Sequence, residues 1–355
     1  MRKSETLVQY TKENIRQLIR NNIKRGQGKL LPYMINRFQW TYFPKLKIVP
    51  RFPLNIDIEV SSRCNLACDH CFRQYMDIKE NQLMDAGTYK KIIDECGRHR
   101  LFTLKFSMRG EPTMHPQLAE MIRYAKEKRI KEVWVNTHGA NLTEKLCRDI
   151  ILAGTDWITV SFDGLGRMYE SIRKPLKYEG SLDRLRMLRR VRDELNAKTM
   201  INAQTLWSAI QDDPEEYVRV VGSIADRISY NMDMNFKEIM LVPDDDFVCP
   251  RLWQRLAITS TGDFLKCPSD FMKEEVLGNI AKNTIKEIWD GAQAGHRERH
   301  LKGLKRKSLV CQKCHHGSKK VSREIVIKAG EKEKVFSYKF MKDFSGVGLK
   351  RDGHE

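Results

Sequence analysis

The sequence predicts an α/β fold: a partial (β/α)6 barrel of six parallel strands, followed by a small module of a β-hairpin plus helices. Three observations predict it. From 55 to 241, short runs with strand character alternate with helical patterns, one helix to each gap. That alternation gives a parallel sheet with helices outside, and right-handed crossovers curve it. A cysteine-rich loop leaves the end of the first strand, where parallel sheets place their active sites. Beyond the sixth strand the pattern changes, and four cysteines bracket a hairpin signal and two short helices.

Taken in order, residues 1–51 read as a basic helical extension. Ile15, Leu18, Ile19 and Ile23 form a helical stripe that Gly26 and Gly28 end. A second short helix is expected to start at Pro32 and stop before Pro44, with Leu31, Met34, Ile35 and Phe38 on one side. The extension is expected to pack on the outside of the barrel; the rival placement is on a membrane surface, as basic amphipathic helices do. The barrel is expected over 52–243, with strands at 55–60, 102–108, 132–137, 157–162, 200–206 and 235–242. Helices are expected at 85–98, 116–128, 143–153, 181–196 and 213–226. The second module is expected over 244–318, with helices near 284–290 and 292–303. A polar, basic tail fills 319–355, with strand character at 335–338.

A formal charge of +18 points to an anionic partner. The charge is uneven: residues 1–51 carry a net +10, and a second basic stretch runs from Arg297 to Lys320. A phosphorylated substrate and a membrane surface fit this balance. Nucleic acid ranks last, because no aromatic-interleaved recognition motif accompanies the basic residues. No apolar run approaches the roughly 18–20 residues of a membrane-spanning helix, and no secretory signal follows Met1. Nine cysteines, mostly in short groups, read as metal ligands in a reducing cytosol, so a cytoplasmic location is expected.

Cys64, Cys68 and Cys71 form a C-x3-C-x2-C triplet directly after the first strand. Three thiolates on one tight loop suit one face of an iron–sulfur cube and leave one iron open to a small molecule. A zinc site needs a fourth ligand, and His70, between Cys68 and Cys71, would be badly crowded in that role. The loop resembles the cluster loop of the radical SAM enzymes. In that family the open iron holds S-adenosylmethionine (S-adenosyl-L-methionine), and one electron cleaves it to a 5′-deoxyadenosyl radical. The resemblance implies that the flat ring of His70 stacks on adenine, and that Phe72 and Arg73 line the same pocket.

Further strand ends carry the same resemblance. Ser107-Met108-Arg109-Gly110-Glu111-Pro112 resembles the family's Gly-Gly-Glu-Pro motif, which implies cofactor contacts at Ser107, Gly110 and Glu111. Arg109 replaces the first glycine and is expected to bring a cation near the substrate. Ser161-Phe162-Asp163-Gly164 resembles a Ser-x-Asp-Gly strand end, with Ser161 at the cofactor and Asp163 beside the cavity. Arg173 falls at the family's arginine, whose planar fork suits the methionine carboxylate. Asn136 and Gln204 fall where ribose or substrate contacts occur. Among Asp163, Gln204 and Arg109, only Asp163 has the chemistry of a base at neutral pH.

Cys249, Cys267, Cys311 and Cys314 make a second set of four thiols, enough to close a second [4Fe–4S] cluster or to hold one zinc ion. Gly262-x4-Cys267, Leu277-Gly278-Asn279 and Glu287-Ile288-Trp289 resemble the SPASM/twitch extension of radical SAM enzymes. With no cysteine after Cys314, the single-cluster form is the nearer match, as in an aminocyclitol dehydrogenase of the family. The resemblance implies two [4Fe–4S] clusters, S-adenosylmethionine and an external one-electron reductant of flavodoxin or ferredoxin type. It implies dehydrogenation, or a related radical change, of a polar or anionic small molecule such as a sugar, cyclitol or nucleotide-linked sugar. The rival is modification of a peptide or protein. Cys96 and Cys147 sit in helical patterns and read as small apolar core residues.

Overall fold

The computed structural model describes residues 30–231, 244–312 and 314–317, and the backbone of 323–329 and 332–338. Six parallel strands run in sequence order: β1 (Asn55–Ile58), β2 (Thr103–Phe106), β3 (Glu132–Thr137), β4 (Trp157–Ser161), β5 (Met200–Leu206) and β6 (Arg227–Asn231). The helices between them are α2 (Ala86–Arg98), α3 (Leu118–Glu127), α4 (Glu144–Leu152), α5 (Gly166–Ile172) with α6 (Tyr178–Glu194), and α7 (Pro214–Val221). Along each strand one set of alternate residues is apolar. Ile56, Ile58, Leu104, Phe106, Val133, Val135, Ile158, Val160, Ile201, Ala203 and Ile228 pack with the helices in one core. The intervening positions are largely polar, including Asp57, Lys105, Asn136, Thr159, Ser161, Asn202, Gln204 and Ser229. The sheet therefore has an oily outer face under helices and a polar inner face.

The hairpin module is not separate from this sheet. Strand β7 (Arg255–Ile258) pairs in parallel with β1, placing Ile56 opposite Leu256 and Ile58 opposite Ile258. Antiparallel β8 (Asp263–Leu265) and β9 (Val276–Asn279) follow, so nine strands form one open sheet. Helix α8 (Ile285–Asp290) starts at a Thr284 capping box. Its first amides, on Ile285 and Lys286, donate to the Glu95 carboxylate of α2, both at 2.9 Å. Helix α9 (Ala292–Leu301) and the short α10 (Leu309–Gln312) complete the module, and β10 (Arg323–Ala329) pairs with β11 (Lys332–Tyr338).

Three expectations change. The sixth strand is 227–231, not 235–242; the latter span lies outside the described residues, as does the expected helix at 10–25. Helix α1 (Leu30–Lys45) begins before Pro32 and carries Pro44 in its last turn. Its apolar stripe does not pack on the barrel. Leu31, Met34, Ile35 and Phe38 are all exposed, Leu31 by 72%. The opposite side makes the contact: Tyr33 and Asn36 are buried, Trp40 O accepts from Gln254 Nε2 at 2.8 Å, and Arg255 lies over the Trp40 ring.

Candidate active site and second cysteine centre

The cysteine loop is held from outside itself. Ala67 N donates to Lys174 O and Asp69 N to Ile172 O, while Ser62 N donates to Gln82 O. Cys68 is buried and Cys64 and Cys71 are half-buried, all three unbridged. Burial raises the thiol pKa of each, that of Cys68 to about 11, and the Arg173 guanidinium opposes the rise there. Arg173 Nη1 lies 3.7 Å from Cys68 Sγ. Three free thiols on one loop, that of Cys68 against a cation, suit metal ligands, because a bound cluster keeps them as thiolates where solvent would not.

The Ser107–Pro112 turn passes close beneath this loop. A Cβ on Gly110 would lie 2.1 Å from Ser61 O and 2.6 Å from the Ser62 carbonyl carbon, so only glycine fits. The positive φ of the turn, +103°, falls on Met108 rather than Arg109, so the arginine replaces the family's first glycine without backbone strain. Glu111 is buried and gathers the next strand end. Its carboxylate accepts from Thr113 N, Thr113 Oγ1, Thr137 Oγ1 and His138 N, at 2.6–3.1 Å.

Two residues expected to do chemistry are already engaged. Arg109 is 2% exposed and makes a forked pair with Glu59, Nε to Oε2 at 2.7 Å and Nη2 to Oε1 at 2.8 Å. Its Nη1 meets Glu80 at 3.3 Å and Phe271 O at 3.4 Å. Arg109 thus ties β1 to the hairpin module rather than facing the substrate. Asp163 Oδ2 accepts from Arg173 Nε at 2.5 Å and pairs with Nη2, and Oδ1 accepts from Leu206 N at 2.8 Å. Both oxygens are occupied, so Asp163 orients Arg173 instead of standing free as a base.

Of the remaining residues, His70 is exposed on the loop. Phe72 is buried and stacks on Phe271 of the module, ring centroids 3.9 Å apart. Arg73 braces the loop through Ser62 O and Arg109 O. Ser107, Asn136, Ser161 and Gln204 are half-buried on the inner face. Asn136, Thr159 and Asn202 stand in register on three adjacent strands. Asn202 Nδ2 donates to Ser229 Oγ at 3.0 Å, while Asn136 Oδ1 and Asn202 Oδ1 are buried without a hydrogen bond. Cys96 and Cys147 are fully buried in the core, as their helical positions indicate.

The four later cysteines line one cavity together with Arg251, Lys266, His300, Lys305 and His316. Burial pushes the thiols of Cys249 and Cys267 up to about 12. Among the described residues, no three His, Cys, Asp or Glu side chains are grouped for a single metal ion. The four thiols ring a space instead, which fits a cluster held at its corners. The sequence reading passed over Glu59, His138, Lys266 and His300. All four owe their place to tertiary neighbours, which no local pattern encodes.

Comparison with known proteins agrees with this geometry. A family profile described as the radical SAM superfamily matches residues 58–203, and one described as an iron–sulfur cluster-binding domain, SPASM, matches 249–315. The chain belongs to the radical SAM superfamily: it is a radical SAM enzyme with a SPASM domain. The first domain implies a [4Fe–4S] cluster with S-adenosylmethionine, and the second an auxiliary iron–sulfur cluster.

Among curated relatives, it is 26% identical over 244 residues to the tungsten-containing aldehyde ferredoxin oxidoreductase cofactor-modifying protein of Pyrococcus furiosus, covering 66% of this chain and 68% of that one. It is 32% identical over 108 residues to a probable GTP 3′,8-cyclase of Methanococcus maripaludis, 30% of this chain and 36% of that one. Among solved structures, BtrN in complex with AdoMet and 2-DOIA superposes with a TM-score of 0.52 at 20% identity, covering 74% of this chain and 92% of that one. SuiB of Streptococcus suis bound to S-adenosylmethionine gives 0.55 at 14%, covering 82% and 79%. At these identities the structural likeness speaks for the fold.

Proposed function

We propose that this enzyme dehydrogenates, or otherwise oxidatively alters, a polar small molecule of the sugar, cyclitol or nucleotide-linked sugar class. The observation that carries this reading is the Asn136–Thr159–Asn202 row on the inner face of the sheet. Its two buried amide oxygens lack donors, and a buried acceptor without one costs about 1–3 kcal/mol. Ribose hydroxyls of the cofactor at Asn136, and hydroxyl or amino groups of a substrate at Asn202, would supply those donors. The names of two relatives, a cofactor-modifying protein and a GTP cyclase, are in keeping with a polar, anionic substrate.

In this reading Cys64, Cys68 and Cys71 hold the first cluster, and Cys249, Cys267, Cys311 and Cys314 hold the auxiliary one. When bound, S-adenosylmethionine supplies a carbon radical able to take a hydrogen atom from substrate carbon. Arg173, aimed by Asp163, takes the methionine carboxylate. The backbone at Ser107, Gly110 and Glu111 receives its amino group. Ser161 and Asn136 face the ribose, His70 and Phe72 border the adenine, and Gln204 lies on the substrate side. As an electron conduit, a cluster held by the four later cysteines would offer an acceptor for the second electron, with the hydroxyl proton released to solvent, and a flavodoxin- or ferredoxin-type donor would provide reducing equivalents.

The test is incubation with dithionite, S-adenosylmethionine and a panel of C–H-deuterated aminocyclitols, sugar phosphates and nucleotide sugars. Deuterium in 5′-deoxyadenosine, together with a product two hydrogens lighter, supports the reading. Deuterium transfer from peptides alone would establish the rival, peptide modification, for which another SuiB crystal structure, bound to its precursor peptide SuiA, is the parallel.

The exposed face of α1 favours one further partner. Leu31, Met34, Ile35, Phe38 and Tyr42 are solvent-facing on the helix, and Leu46, Ile48 and Val49 continue the patch beyond it. The patch lies within a stretch of net charge +10. Apolar side chains flanked by cations suit an anionic lipid surface. None of the described helices is long and apolar enough to cross a membrane.

A further inference from the structure

Three cations line the cavity of the auxiliary centre, and Glu275 pairs with one of them. Among the described residues, no aspartate or glutamate lines that cavity, whereas Arg251, Lys266 and Lys305 all do. Lys266 and Lys305 are 1% and 2% exposed, so solvent screens them weakly. Lys266 Nζ pairs with Glu275 and Ser308, and Lys305 Nζ donates to Gly317 O at 3.1 Å.

His300, near the end of α9, adds a directional contact. Cys249 N donates to His300 Nδ1 at 3.3 Å. A backbone amide can only donate, so Nδ1 presents its lone pair and the ring proton sits on Nε2. Nε2 lies 3.4 Å from Cys311 Sγ. The ring therefore bridges two of the four cysteines, accepting from the backbone of one and donating N–H to the sulfur of another. Hydrogen bonds to cluster sulfurs and nearby positive charge favour the more negative, reduced state.

We propose that His300, with Lys266, is a tuning residue that raises the reduction potential of the auxiliary cluster, fitting it to accept an electron. This rests on the reading of that cluster as an electron conduit and adds the residues that set its direction. His300 acts through Cys311 and touches no substrate.

The experiment is an EPR-monitored redox titration of the full chain carrying Cys64, Cys68 and Cys71→Ala, so that only the auxiliary cluster reports. Into it go His300→Leu, which removes the donor, His300→Gln, whose amide restores an N–H near Nε2, and Lys266→Met. Iron is counted in every sample. The expected result is a more negative potential in His300→Leu and Lys266→Met, with His300→Gln between His300→Leu and the parent. An unchanged or more positive potential in His300→Leu at full iron content overturns the proposal. Should His300→Leu lose its iron, a potential in Lys266→Met that is unchanged or more positive overturns it. Iron missing from the parent triple variant instead removes the auxiliary cluster, and with it the conduit reading on which the proposal rests.

Discussion

Replacing Arg109 by alanine separates a structural role from a catalytic one. Glu59 is 0% exposed and accepts hydrogen bonds from Arg109 N, Nε and Nη2 and from Ser260 N and Oγ, at 2.7–3.2 Å. Arg109→Ala removes both guanidinium contacts and leaves that carboxylate buried against Ser260 and one amide. It also removes the contacts to Glu80 and to Phe271 O. Breaking a buried pair on one side costs about 3–5 kcal/mol. In a chain of this size that corresponds to a melting temperature lower by roughly 4–7 °C. Circular dichroism melts of wild type, Arg109→Ala, Arg109→Met and the Glu59→Leu/Arg109→Met double variant provide the assay. The double variant should be more stable than Arg109→Met alone, because no charge remains buried unpaired. A wild-type melting temperature in Arg109→Ala, with substrate turnover lost, would refute the reasoning and return Arg109 to the substrate.

Other outcomes follow from the same geometry. Gly110→Ala forces a Cβ into Ser61 O and should displace the cysteine loop; reconstituted protein should then hold about four irons in place of about eight. Asp163→Asn leaves Arg173 without its anion and weakens its aim. Losing a charge-assisted hydrogen bond costs about 1.5–3 kcal/mol, so calorimetry should read S-adenosylmethionine binding roughly tenfold or more weaker. If affinity holds while turnover falls, Asp163 is a proton acceptor after all. Ile35→Glu with Phe38→Glu, both at exposed positions, should abolish co-sedimentation with anionic vesicles and leave melting unchanged. Wild-type protein that ignores such vesicles at low salt removes the membrane role.

Much of the barrel was legible because its signals are local. Strand runs, helical periodicity and cysteine spacing each sit within a dozen residues, and five of the six strands fall where the sequence puts them. The sixth did not. Arg227-Ile228-Ser229-Tyr230-Asn231 alternates cleanly but is short, and the more apolar run at 239–242 drew the assignment away. The pairing of β7 with β1 joins residues 200 apart, such as Asn55 and Arg255, and no local pattern encodes it. Helix α1 shows the limit of amphipathicity: a stripe tells which face is apolar, not what that face meets. Here Trp40 meets Gln254 and Arg255 through a hydrogen bond and a cation–π contact while the stripe faces outward. Arg109 and Asp163 were found by motif, yet their partners Glu59 and Arg173 decide what their charges do.

The most direct test of the account is the iron and sulfide content of anaerobically reconstituted wild type and of the Cys64, Cys68 and Cys71→Ala variant, with 5′-deoxyadenosine formation under dithionite measured on the same samples. The account predicts about eight irons falling to about four, with cleavage of S-adenosylmethionine abolished in the variant. About four irons in wild type would contradict the auxiliary cluster and its conduit role, and cleavage surviving in the variant would contradict the assignment of the first cluster to that loop.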